Sequence, residues 1–224
     1  MPNHLFHDRR DAGRALAGLL YAYADRADVI VLALPRGGVP VGFEVALALR
    51  APLDVLIVRK LGVPGHEELA MGAIASGGVR VISHNVVHML DIQADEVEAV
   101  IRCEQDELER RERLYRDDRP PPAVRNRTVI LVDDGLATGS TMLAAVKALY
   151  AMRPQRIVVA VPTASRQTCE DLRREVDDVV CASTPESFRA VGESYEVFSQ
   201  TTDDEVSELL ERARDGAAHE PVAR

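Results

Sequence analysis

The stretch Thr128-Val-Ile-Leu-Val-Asp133-Asp134-Gly-Leu-Ala137-Thr138-Gly139-Ser140-Thr141-Met142 concentrates more chemistry than any other in the chain. A β-branched apolar run, Val129 to Val132, meets two adjacent carboxylates, then a loop of small residues, then a good helix former, MLAAVKALY. The pattern reads as strand, acidic turn, loop and helix N-terminus. A helix start presents unpaired N–H groups and the positive end of the peptide dipole, and Thr138, Ser140 and Thr141 add hydroxyls, so the loop suits an anion such as phosphate. Two aspartates beside a phosphate would repel it. They are better suited to accept hydrogen bonds from neutral hydroxyls of the same ligand, or to reach it through a metal ion. A sugar phosphate with a free diol satisfies both halves. The loop is not a Walker A motif, because its glycines are wrongly spaced and no lysine precedes Ser140.

This stretch resembles the 5-phosphoribosyl-1-pyrophosphate (PRPP) signature of type I phosphoribosyltransferases, an apolar strand, two acids and a T-G-x-T loop. The resemblance implies that Asp133 and Asp134 hold the ribose hydroxyls and that Ala137, Thr138, Gly139, Ser140 and Thr141 hold the 5′-phosphate. It also implies a pyrophosphate-binding turn after the first strand, usually built around a non-proline cis peptide. Leu34-Pro-Arg36-Gly37-Gly38-Val-Pro40 matches, with Arg36 as a fork of donors and Gly37 and Gly38 admitting backbone N–H groups close to oxygen. A further connection, Val58-Arg59-Lys60-Leu61 to Gly72, ends a strand in two cations, and the family carries a mobile catalytic loop there. Lys60 is the first candidate to neutralise pyrophosphate and Arg59 the second, with residues 61–72 as a lid and Glu67 or Glu68 as a base. Phe188 and Tyr195, in a segment 185–204 similar to a C-terminal hood, are candidates for stacking on the acceptor. Mg²⁺ would arrive with PRPP, oriented by Asp133 and Asp134 without direct ligation. The sequence departs from 6-oxopurine phosphoribosyltransferases at Ala137, where those enzymes carry an aspartate that exchanges a proton with purine N7.

These candidates need elements to carry them. The apolar runs Val29–Leu34, Val55–Val58, Val129–Val132 and Ile157–Val161 alternate with helical patterns, as expected of an α/β fold with a mainly parallel sheet covered on both faces. Residues 8–24 read as a first amphipathic helix and 41–50 as a second. Between 84 and 127 lies a helical insertion whose centre, 92–115, keeps a narrow apolar seam at Val97, Val100, Ile101, Leu108 and Tyr115. That seam either lies along its own domain or joins a second copy as a homodimer. Pro120, Pro121 and Pro122 end the insertion in a linker. One domain over 1–215 and a frayed tail at 216–224 complete the expected organisation.

Composition sets the remaining limits. With 224 residues, 46% of them hydrophobic, the chain can bury a full core. A net charge of −9 speaks against a general DNA surface, which needs clustered Lys and Arg. Cys103, Cys169 and Cys181 form no C-x-x-C pair, and no apolar stretch reaches the ~20 residues that span a bilayer, so a reducing cytoplasm is expected. His84 and His88, four apart, lack a third partner for a metal. Two functions remain open: an enzyme moving phosphoribosyl from PRPP to a nitrogenous acceptor, and a regulator that binds PRPP or a nucleotide without turnover.

Overall fold

In a computed structural model describing residues 5–116 and 119–218, five short apolar runs build one parallel sheet. They are β1 (Val29–Ala33), β2 (Leu53–Val55), β6 (Thr128–Val132), β7 (Arg156–Thr163) and β8 (Asp178–Ser183). The order is β2-β1-β6-β7-β8, with every neighbouring pair parallel. Side chains alternate between two cores: Val29, Val31, Ala33, Ile130 and Val132 face one, Ile30, Leu32, Val129 and Leu131 the other. Both faces are therefore dry, which is why these strands read as unbroken apolar runs rather than as alternation.

The first core lies under α1 (Arg9–Leu19), α2 (Gly38–Leu49) and α7 (Asp203–Ala218), and the second under α5 (Ser140–Ala151) and α6 (Arg166–Leu172). The side chain of Asp8 caps α1 by accepting from the Asp11 N–H at 2.8 Å, and a 3-10 turn at Tyr21–Tyr23 ends the expected first helix. Residues 216–218 of the expected tail continue α7, and its remainder, 219–224, lies outside the described residues.

Two expectations fail beside this sheet. The run 55–58 is not one strand: the Leu56 N–H donates to Ala33 O at 3.0 Å, whereas Ile57 O already accepts from the Ser76 N–H at 3.0 Å in a second sheet. That sheet is antiparallel, with order β3 (Val58–Val63), β4 (His66–Ala75), β5 (Val79–Ile82). Residues 61–72, expected as a lid loop, are therefore mostly paired strand. Leu61, Val63 and Met71 point into the core, and Gly72 permits close approach, since a Cβ there would come within 2.4 Å of Val81 O. Gly62 likewise admits Glu67 O, 2.8 Å from where its Cβ would sit, while Gly65, at φ 75°, forms the turn between β3 and β4.

The insertion forms α3 (His84–Met89) and α4 (Ala94–Arg116). Its seam residues Val97, Ile101, Leu108 and Tyr115 are buried in the same core as Leu61, Val63, Met71 and, from α7, Val206 and Leu209. The seam is thus spent within its own chain, and the alternative in which it joins a second copy is not the one adopted.

Candidate active site

From β1 the chain moves through α2 to β2 on one side, and from β6 through α5, β7 and α6 to β8 on the other. Strand order reverses between β1 and β6, and the crevice beyond their C-terminal ends is where open α/β sheets bind ligands. The two motifs singled out by residue type occupy those two ends. Ala33 pairs with Val132, and the Leu34 N–H donates to Val132 O at 2.9 Å. The Pro35–Arg36 peptide is cis. The turns then interlock: a Cβ on Gly37 would sit 2.1 Å from Asp134 Oδ2, and one on Gly38 would sit 2.8 Å from Val132 O and 2.9 Å from Asp133 Cα. Only glycines let the Arg36 turn lie this close to the acid pair. Arg36 itself is half-exposed, 3.7 Å from Asp203 at the start of α7, and borders an open cavity with Gln200, Thr202 and Asp204.

The acid turn is held from three directions. The Asp134 N–H donates to Asp133 Oδ1 at 2.8 Å. Arg9, the first residue of α1, donates from Nε to Asp134 Oδ2 at 2.8 Å, with the two side chains only 12% and 15% exposed. Tyr195 donates its hydroxyl to Asp134 O at 2.5 Å. Burial pushes the Asp133 carboxyl well above the carboxylate range, and the neighbouring Asp134 charge adds to it. Asp134 is also raised by burial, against the opposing hydrogen bond and charge of Arg9. A crowded acid pair that retains a proton readily is the electrostatic signature of this turn.

Immediately downstream the loop expected to hold a phosphate differs. Ala137, Thr138, Ser140 and Thr141 are exposed. Gly139, at φ 72°, is the N-cap of α5, and no side chain caps the helix. The Ser140 N–H makes a long contact to Thr138 Oγ1 at 3.4 Å, and the N–H groups that follow in the first turn are left for a ligand. Thr138 Oγ1 and Ser140 Oγ lie 3.2 Å apart. The loop is braced from α6, where the Thr168 hydroxyl donates to Ala137 O at 3.0 Å.

The other candidates lie on other elements. Arg59 donates from Nε to Glu104 Oε2 at 2.6 Å, tying β3 to α4, which employs it as a structural tie. Lys60 lies on β3 opposite Ala73. Glu67 is exposed on β4, and the Glu68 side chain lies outside the described residues. Tyr195 is 2% exposed and packed between Phe6 and Phe198, with centroids at 5.8 and 4.9 Å, so its ring is not available to stack on an acceptor. Phe188 borders a cavity of about 210 Å³ with Pro185, Ser187 and Ser194. His84 and His88 lie on α3. Among the described residues no group of three or more His, Cys, Asp or Glu could hold a metal, and no helix is long and apolar enough to cross a membrane. Arg9 is the participant that residue patterns did not single out. An Arg9-Arg10 pair after a helix cap looks like a solvated face, and nothing local ties it to a residue 125 positions away.

A family model for the phosphoribosyl transferase domain matches residues 6–197. The chain belongs to that family. It is 48% identical over 209 residues to the Mycobacterium tuberculosis protein named "Putative phosphoribosyl transferase Rv0571c", and that match takes in 93% of this chain. The chain spans about half, 47%, of that relative's length. A solved structure, TT1426 from Thermus thermophilus, is similar over 92% of this chain and 97% of its own, with 41% identity and a TM-score of 0.84. The phosphoribosyltransferase fold is thus an α/β fold with a mainly parallel sheet flanked by helices, and its motif pair meets at the β1/β6 crevice.

Proposed function

We propose that the protein transfers the 5-phosphoribosyl group from PRPP to a nitrogenous, nucleobase-like acceptor and releases pyrophosphate. The observation that carries this reading is the interlock of Gly37 and Gly38 with Asp133 and Asp134, because it sets a cationic turn and a pair of hydroxyl acceptors side by side, with an uncapped helix start next along the chain. Asp133 and Asp134 accept from the ribose hydroxyls, the α5 N-terminus and Thr138 to Thr141 take the 5′-phosphate, and Arg36 with the Gly37 N–H faces pyrophosphate. Lys60 is a second cation for the leaving group.

Displacement at the anomeric carbon develops positive charge on the sugar and negative charge on pyrophosphate, so positioning and electrostatic stabilisation supply most of the rate. Two adjacent carboxylates fit a Mg²⁺ that keeps its waters and is held by substrate oxygens, since such an ion accepts outer-sphere partners. When bound, Mg²⁺ neutralises charge on the pyrophosphate.

Ala137 sets the acceptor preference. An alanine methyl takes no proton from purine N7, so hypoxanthine and guanine should be poor substrates, and acceptors that arrive as anions or need no proton removed there should do better. The test is pyrophosphate release from Mg-PRPP across pyrimidine, purine and small amine acceptors, with Ala137→Asp alongside. Slow wild-type turnover of hypoxanthine, improved by Ala137→Asp, is expected. Efficient wild-type turnover of hypoxanthine would sink the argument from Ala137, and binding of PRPP without turnover on any acceptor would favour a regulator.

A further inference from the structure

The guanidinium of Arg9 does more than pair with Asp134. While Nε donates to Asp134 Oδ2 at 2.8 Å, Nη1 donates to Ser199 O at 2.6 Å. Its Cζ lies 3.9 Å above the Phe198 ring, and that ring stacks at 4.9 Å on Tyr195, whose hydroxyl returns to Asp134 O. The circuit closes on one turn: helix α1, the acid turn and segment 195–199 meet at a single planar cation. A cation over an aromatic face is favourable, more so when shielded from water, and a planar fork can serve a carboxylate, a carbonyl and a ring together where an ammonium cannot. The carboxylate that Arg9 holds is pressed against Gly37, so its orientation also sets the gap between the acid pair and the Arg36 turn.

We propose that Arg9 is a positioning residue of the PRPP site, fixing the Asp134 carboxylate for the ribose hydroxyls and transmitting the placement of segment 195–199 to it through Phe198. This rests on the PRPP reading above. The role belongs to Arg9 acting through Asp134, and the ligand itself need not touch the guanidinium. Because Phe198 reaches Asp134 through the Arg9 guanidinium as well as through Tyr195, Arg9 and Phe198 should be energetically coupled in ligand affinity.

The experiment is calorimetric titration of the full chain with Mg-PRPP, using wild type, Arg9→Gln, Arg9→Lys, Phe198→Leu and the double variant Arg9→Gln with Phe198→Leu, with thermal melts of each. Arg9→Gln should weaken binding about tenfold, a tenfold change corresponding to about 1.4 kcal/mol. Arg9→Lys should restore part of that loss, and Phe198→Leu should weaken binding about threefold in wild type and clearly less once Arg9 is Gln, the pattern expected of coupled residues. Both this role and a merely structural one lower the melting temperature, but a merely structural one would leave the affinity of the folded protein within about twofold of wild type. Arg9→Gln binding within about twofold of wild type, or Phe198→Leu costing the same in both backgrounds, would overturn the proposal. Absence of binding by wild type would instead remove the PRPP site itself.

Discussion

The acid turn at 133–134 and the phosphate loop at 137–141 are nearly consecutive in the chain and opposite in physical character. The turn is half-buried, clamped by Arg9, Tyr195 and the glycines of the neighbouring turn, and crowded enough to raise both carboxyls. The loop is exposed, and its helix start has no side-chain cap. On the proposed reading, the difference follows from what each would recognise. A phosphate brings its own charge and needs donors left open at a helix start, whereas neutral hydroxyls need acceptors held in fixed directions, and holding a carboxylate away from water takes partners from other elements. Substitutions should therefore divide into those that unsettle the fold at the turn and those that spare the fold at the loop.

The largest effect is expected from Asp134→Ala, which leaves Arg9 shielded from solvent without its carboxylate. Stability by urea unfolding should fall by about 3 kcal/mol, as for other broken buried pairs. A loss no larger than that of a surface substitution would show that the clamp is not holding the turn. Gly37→Ala comes next, since the new methyl would meet Asp134 Oδ2 at 2.1 Å. Overpacking of this kind costs about 2 kcal/mol, and an unchanged unfolding midpoint would mean that the two turns are less interlocked than described.

A smaller effect is expected of pH. The native Asp133 carboxyl is raised above its ordinary value of 3.8, so over the window above that value the native state binds more protons than the unfolded chain. Its contribution to stability is present below the window and is lost as pH rises through the native pKa. Asp133→Asn, which keeps the acceptor for the Asp134 N–H, should flatten the decline in urea midpoint as pH rises above about 4. An identical slope in wild type and variant would contradict the assignment. Smallest of all, Thr141→Val in the exposed loop should change stability by no more than about 0.5 kcal/mol while weakening Mg-PRPP binding. A large drop in stability there would erase the contrast between turn and loop.

The same contrast explains how much was legible in the sequence. The phosphate loop and the strand before it are local objects: apolar run, acids, small residues and helix former stand in order, and a helix start creates its donors without help from elsewhere. The Arg36 turn was legible for the same reason. Arg9 was not, because its meaning comes from Asp134, Phe198 and Ser199, all distant in the chain. Tyr195 reads in the sequence as an aromatic of a hood-like segment suited to stacking on a ligand, whereas tertiary packing buries its ring and spends its hydroxyl on Asp134 O. The second sheet was missed because Gly62, Gly65 and Gly72 suggested a loop. The antiparallel pairing that puts Gly72 opposite Ile82 and close to Val81 O is visible only once β5 is in place.

The central claim is that turn and loop form one PRPP site, and calorimetric titration with Mg-PRPP of wild type, Asp134→Asn and Thr141→Val tests it most directly. Saturable binding by wild type, largely lost in both variants while Thr141→Val keeps its wild-type melting temperature, is the predicted result. Unchanged affinity in both variants would contradict it.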